Sequence, residues 1–219
     1  MSDTIVVNKV SDTITFNTEE SLKVEQPIQQ VQVPIFNLVP EDDPILKQVM
    51  PEFDFKNPPV NPVELASSLV ESCIKYNGYG LSANQCGFHH RVFVMGSGDN
   101  FIACFNPKII LAEEEAHLPE GCLSFPLLTL HITRPKTITV EYQDWNGTVH
   151  NQKFTGITAR IFLHELDHMN GIVYTSRVKP LAFQFGLKKL NKIRRKYFNP
   201  KVMAQLAKQQ SNVNQKANP

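Results

Sequence analysis

GITARIFLHELDHMNG, residues 156–171, carries the signals of one buried helix. It starts near Gly156 or Ile157 and stops at Asn170–Gly171, where the asparagine and glycine favour the turn that ends a helix. Ile157, Ile161 and Met169 make much of its circumference apolar, so it belongs inside a domain. Yet it also carries His164, Glu165, Asp167 and His168. Burying four such side chains needs a compensating reason. Residues four apart share one helix face, so His164 and His168 can grip one metal ion from adjacent turns. Glu165 then sits beside the open coordination position, placed to manage the protons of a water whose pKa an ion brings toward ~7. The plainer alternative is a surface helix with two solvated histidines, which the apolar flanks disfavour.

Upstream, TITVEYQ (137–143) and TVHNQKF (148–154) alternate around Asp144-Trp145-Asn146-Gly147. The Asn-Gly pair predicts a hairpin. RVFVM (91–95) and FIACF (101–105) read as a strand pair across GSGDN. Asn61, Pro62 and Glu64 open another helix as N-cap, first residue and capping-box acid. Its expected apolar stripe is Ala66, Leu69, Val70, Cys73 and Ile74, and Asn77–Gly78 end it. VPIFNLVPEDDPIL (33–46) reads as a short strand followed by an acidic, Pro-rich loop. Downstream, Pro180 opens a third helix, apolar early and basic later. Strand, helix, several strands, helix, helix is not strict βαβ alternation. It predicts an α+β domain: mainly antiparallel sheets around the central 156–171 helix, with a C-terminal helix.

The chain has 219 residues and is 42% hydrophobic, enough for one domain with a real core. We expect an N-terminal extension (1–32), a catalytic domain (33–198) and a polar, basic, disordered tail (199–219). No stretch approaches the ~18–20 apolar residues of a membrane span, and the first residues lack a signal-peptide layout, so the expected compartment is the cytoplasm. Cys73, Cys86, Cys104 and Cys122 contain no CxxC pair and are expected to be free thiols or metal ligands. Asp167 is the last acid. Up to and including it stand 21 acids against 11 bases, a net of −10; after it stand 11 bases and no acid. Such segregation suits a polyanionic partner, although a solvated helix face gives the same pattern.

A catalytic metal needs a third protein ligand. Cys122, the other cysteines, His117, His131, His150 and the acids are all candidates, and sequence order does not choose among them. Cys73 and Cys104 lie in apolar surroundings and read as inert core thiols.

Three separated segments resemble the peptide deformylase family. Gly78-Tyr79-Gly80-Leu81-Ser82-Ala83-Asn84-Gln85 is similar to its GxGLAAxQ motif. Glu120-Gly121-Cys122-Leu123-Ser124 matches its EGCLS motif, and His164-Glu165-Leu166-Asp167-His168 its HExDH motif. ITRP (132–135) is similar to the family's VxRP, and the resemblance covers roughly residues 33–198. It implies Cys122 as the third ligand beside His164 and His168. It implies one divalent ion, natively Fe(II), with Zn, Ni or Co able to occupy the site. It implies hydrolysis of the formyl group from N-formylmethionyl nascent polypeptides, and we expect a monomer.

In that reading Glu165, Gln85 and the Leu123 backbone N–H serve catalysis. Tyr79, Gly80 and Gly121 lie along the substrate main chain, and Ile157 and Ile161 line a methionine pocket, unless those two simply pack the core. Arg134 is expected to pair with Asp167 or Glu120. The family's setting also suggests that Lys188, Lys189, Lys192, Arg194, Arg195 and Lys196 dock on ribosomal RNA. Three positions depart from the pattern: Ser82 replaces Ala, Leu163 replaces Gln, and Thr129 falls where an Arg is often found. The rival readings are a metallopeptidase and a catalytically inactive, ribosome-associated metal-binding protein. The first usually takes a downstream Glu or His as third ligand, and none follows His168.

Overall fold

The computed structural model describes residues 33–197 and the two-residue strand β1, Ile5–Val6. The expected properties of the rest of 1–32, and of the 199–219 tail, lie outside the described residues. The order continues with helix α1 (Pro62–Lys75), β2 (Gly80–Ser82), β3 (Val92–Ser97), β4 (Asn100–Cys122) and β5 (Phe125–Gln143). β6 (Val149–Thr155), α2 (Gly156–Met169) and α3 (Pro180–Tyr197) follow. The strands pair antiparallel in the order β2-β3-β4-β5-β6, and β1 adds to β4 at Phe101 and Asn100. This is the expected α+β architecture.

The local signals act as the chemistry requires. Asn61 caps α1 by accepting from the Val63 and Glu64 amides at 3.0 and 3.3 Å. Asn77 ends the segment at φ +55. Ala66, Leu69, Val70 and Cys73 are buried, but Ile74 is 44% exposed, so the stripe is one residue narrower than expected. Asp144 braces the Asn-Gly hairpin by accepting from the Asn146 and Thr148 amides.

β3 explains the layering. Val92 and Val94 pack into the cluster that holds α1, while Phe93 and Met95 pack into the cluster that holds α2. With period-2 side chains, a strand buried on both faces must lie between two helices. α2 therefore runs inside the domain, in contact with β2, β3, β5 and β6.

Two stretches differ from expectation. Residues 33–43 contain no strand, and a short 3₁₀ turn follows at Pro44–Lys47. Pro34 and Pro40 cannot donate to a ladder. The neighbouring amides bond elsewhere: Phe36 to Ser72 Oγ (2.8 Å) and Val39 to the Gln85 carbonyl (2.8 Å). Residues 107–136, unassigned in the sequence reading apart from the motif matches, form the two arms of one long hairpin. Most side chains from Ile109 to Pro119 are exposed, so this arm of β4 has no apolar alternation to reveal it. The hairpin tip, Cys122 to Phe125, is carried to α2.

Candidate active site

α2 supplies His164, Glu165 and His168, and the hairpin tip supplies Cys122. Among the described residues, one ligand atom from each of Cys122, His164 and His168 lies within 4.8 Å of the others. Cys122 Sγ is 3.3 Å from His168 Nε2. The two histidines are buried and Cys122 is half-buried. The remaining candidates lie elsewhere. Cys73 and Cys104 are in the core, and burial pushes Cys73 up to about 12. His117 and His131 face each other on the exposed hairpin arms, and His150 pairs with Asp144.

A charge network holds these elements together. Glu120, two residues before Cys122, is buried and accepts from four nitrogens. Arg134 donates to both its oxygens (2.6 and 2.9 Å), Arg160 to Oε1 (2.5 Å), and His164 Nδ1 lies 3.1 Å from Oε2. Burial alone would raise the Glu120 pKa, but the bonds from His164 and Arg134 outweigh it and hold it at about 2. Arg134 also reaches Asp167 Oδ2 at 2.7 Å, and Arg177 donates to the same carboxylate. The expected Arg134 pairing is thus present with both acids.

Arg160 and Arg177 escaped the sequence reading. Arg160 is four residues before His164 on the same helix face, and that spacing was the available signal. Arg177 lies in a short 3₁₀ turn beyond α2, and no motif marks it.

The donor set suits a divalent cation. A thiol and two imidazoles offer borderline-soft ligation. Burial works against a charged His164, yet its bonds to Cys122 and Glu120 outweigh this and raise its pKa to about 10, whereas burial and the positive neighbours His164 and Arg134 keep His168 neutral. With Nδ1 turned to Glu120, the other nitrogen of His164 is left for a metal, the usual carboxylate-histidine support.

Glu165 is 4% exposed, and its Oε2 has no hydrogen-bond partner among the described groups. Burial raises its pKa to about 7. It lies hard against β2: a Cβ added at Gly80 would fall 2.4 Å from Glu165 Oε1.

Gln85 follows β2 in a 3₁₀ turn. The Ser82 amide (3.0 Å) and hydroxyl (2.9 Å) bond to its Oε1. Its Nε2 donates to Ser124 Oγ at 3.0 Å and lies 3.4 Å from Cys122 Sγ. The Ser82 departure therefore adds a contact that orients this amide. Leu163 is in the core, and its carbonyl accepts from Arg134. Thr129 is exposed and does not line the cavity.

A cavity of about 600 Å³ opens onto Glu165, His164, Cys122 and Gln85. Tyr79, Gly80, Gly121 and Leu123 line it, as do Ile157 and Ile161. Ile157 is 64% exposed, so core packing does not account for it.

A family model described as "Polypeptide deformylase" matches residues 35–184, more than half of the chain. The chain belongs to the peptide deformylase family. The peptide deformylase of Thermotoga sp. strain RQ2 is 37% identical over 155 residues, 70% of this chain and 93% of that protein. The crystal structure of the Thermotoga maritima peptide deformylase aligns with TM-score 0.63 and 33% identity, covering 67% of this chain and 99% of that one. A structure of the Acinetobacter baumannii class I type b peptide deformylase bound to Met-Ala-Ser aligns with TM-score 0.62 and 26% identity, covering 67% and 99%.

The chain is thus a metallo-hydrolase with peptide deformylase activity: it removes the formyl group from N-formylmethionine of nascent peptides. The group Cys122, His164 and His168 fits its single metal site.

The Gly80 contact is testable. Gly80→Ala should displace the Glu165 carboxylate and, if that carboxylate serves the reaction, lower kcat roughly 100-fold, the effect of an ångström-scale misplacement. Metal content and circular dichroism should stay unchanged. Full activity in the variant would contradict the contact.

Proposed function

We propose that Glu165 is the proton-transfer group of this deformylase, and that Gln85 and the Leu123 backbone N–H stabilise the charge that grows on the formyl oxygen. The observation that carries this is a buried carboxylate beside the Cys122–His164–His168 group, with one oxygen unpaired and a pKa raised by burial to about 7. A general base works best when poised near the working pH. Glu165 takes a proton from the attacking water and returns it to the leaving nitrogen. Ser82 holds the Oε1 end of the Gln85 amide and Ser124 one N–H, which keeps Nε2 3.4 Å from Cys122 Sγ with its second N–H for the formyl oxygen. A divalent ion held by Cys122, His164 and His168 supplies Lewis acidity and acidifies the attacking water. Fe(II) is proposed as the native ion from the family resemblance, and Zn, Ni or Co also suit thiolate and imidazole donors.

The formylated peptide is proposed to lie along Tyr79-Gly80 and Gly121, with its methionine against Ile157 and Ile161. Their places on the cavity wall support this. So does the Met-Ala-Ser tripeptide bound by the Acinetobacter relative. Action as a monomer is proposed as well. The catalytic unit is taken as residues 33–198, in the cytoplasm. No helix among the described residues is long and apolar enough to cross a membrane.

The basic segment is proposed to dock on the ribosome. Lys188, Lys189, Lys192, Arg194, Arg195 and Lys196 are all exposed on α3, and no acid follows Asp167 to neutralise them. Phosphate-directed binding of this kind weakens steeply with salt.

Two outcomes are expected. Glu165→Ala should lower formate release from a formyl-Met peptide by roughly 10²–10⁴-fold while one metal stays bound per chain; wild-type release from the variant would refute the role. Reversing the α3 charges to Glu should abolish salt-sensitive co-sedimentation with ribosomes but spare hydrolysis of short peptides. Undiminished co-sedimentation would refute the docking surface.

A further inference from the structure

The β4–β5 ladder is irregular at its tip. Glu120 pairs with Leu130 and Cys122 with Phe125, so β5 carries extra residues that β4 does not match. Such bulges re-aim side chains and recur beside active sites. This one includes Pro126 and Leu127, and both line the cavity. Leu127 has φ +69, in the left-handed region where a branched side chain is disfavoured by roughly 1–2 kcal/mol. It is also 48% exposed, whereas its neighbour Leu128 is buried. Backbone conformation therefore opposes a leucine here, and core burial does not favour one. Strained residues of this kind point to a function rather than to packing.

The chemistry of the rim indicates the ligand. Leu127, Pro126 and Tyr79 present apolar surface around the opening, and Tyr79 is 64% exposed. Of the polar lining residues, Glu165, Gln85, His164, Glu120 and Arg160 are buried around the reacting centre, while Asn77 is exposed at the opening beside Tyr79. The unmatched residues, Pro126, Leu127, Leu128 and Thr129, include no charged side chain, and Thr129 is exposed and does not line the cavity.

We propose that Leu127 is a specificity-determining residue: it contacts the side chain of a residue that follows the N-terminal methionine and favours large apolar side chains there. This rests on the cavity being the substrate cleft.

The test measures formate release by the metal-loaded full chain from formyl-Met-Gly-Gly, formyl-Met-Leu-Gly and formyl-Met-Gly-Leu. Its readout is the ratio of kcat/KM for each leucine peptide to that for the glycine peptide. Wild type should prefer at least one leucine peptide by roughly five- to tenfold, at or below the ~10-fold lower limit for one methylene in an enclosed apolar pocket, because Leu127 is 48% exposed. Leu127→Gly and Leu127→Asn both accept the left-handed conformation, so both should fold with Tm equal to or above that of wild type. Both should bring the ratio close to one. Asn nearly keeps the size but removes the apolar surface, so a preference surviving in Leu127→Asn would overturn the proposal. A wild-type ratio near one would overturn it as well. Ile161→Ala separates the two levels. If it changes kcat/KM for none of the peptides, the cleft assignment itself fails, and the proposal with it. If it weakens all three while the Leu127 variants keep the wild-type ratio, only the Leu127 proposal fails.

Discussion

Two buried carboxylates, Glu120 and Asp167, are tied together by one guanidinium, Arg134. Isolated charges in such surroundings cost several kcal/mol each. They are tolerated here because every charge has partners: Arg160 and His164 complete Glu120, and Arg177 completes Asp167. Arg160 also donates to the Ala116 and Ile132 carbonyls, which clamps α2 to both arms of the long hairpin. The network therefore sets how the hairpin tip meets the helix. Cys122, two residues beyond Glu120, is delivered to His164 and His168 as a consequence. The ring of His164 is oriented by the same carboxylate.

Within that frame Glu165 is the exception. Arg160, His164 and Asp167 on α2 are paired, while Glu165 keeps an oxygen without a hydrogen-bond partner among the described residues. Burial without a partner is what moves its pKa to about 7. A carboxylate poised there can both accept and donate a proton at neutral pH, which hydrolysis of an amide requires. Gly80 makes the position available, because any side chain there would occupy the volume of the carboxylate. Ser82 and Ser124 hold the Gln85 amide, so the groups around the reacting centre are fixed before substrate arrives.

Much of this was legible in the sequence. The caps of α1, the Asn-Gly turn and the ends of α2 rest on local chemistry, and local chemistry is readable one segment at a time. The histidine pair was legible because residues four apart share one helix face, whereas Cys122 came only through the resemblance of EGCLS to the family motif. The hairpin arms were not, because exposed strands such as Ile109–Pro119 leave no periodic apolar signature. Nor was the coil at 33–43, whose valines and isoleucine suggest a strand but whose amides bond to Ser72 and Gln85 from distant parts of the chain. Arg160, Arg177 and Ser82 gain their meaning only from neighbours that folding supplies. Ser82 in particular looks like a neutral exchange of small residues until its hydroxyl is seen against Gln85.

The most direct measurement is the Ni(II) affinity of Arg134→Ala and Arg134→Lys, by chelator competition, beside wild type. If the Arg134 network delivers Cys122 to the histidines, folded Arg134→Ala should bind Ni(II) roughly 10–100-fold more weakly, as loss of supporting contacts around metal ligands does. Arg134→Lys should recover part of that loss, because it keeps the charge but not the two-carboxylate fork. Wild-type affinity in a folded Arg134→Ala protein would contradict the claim that this network assembles the metal site.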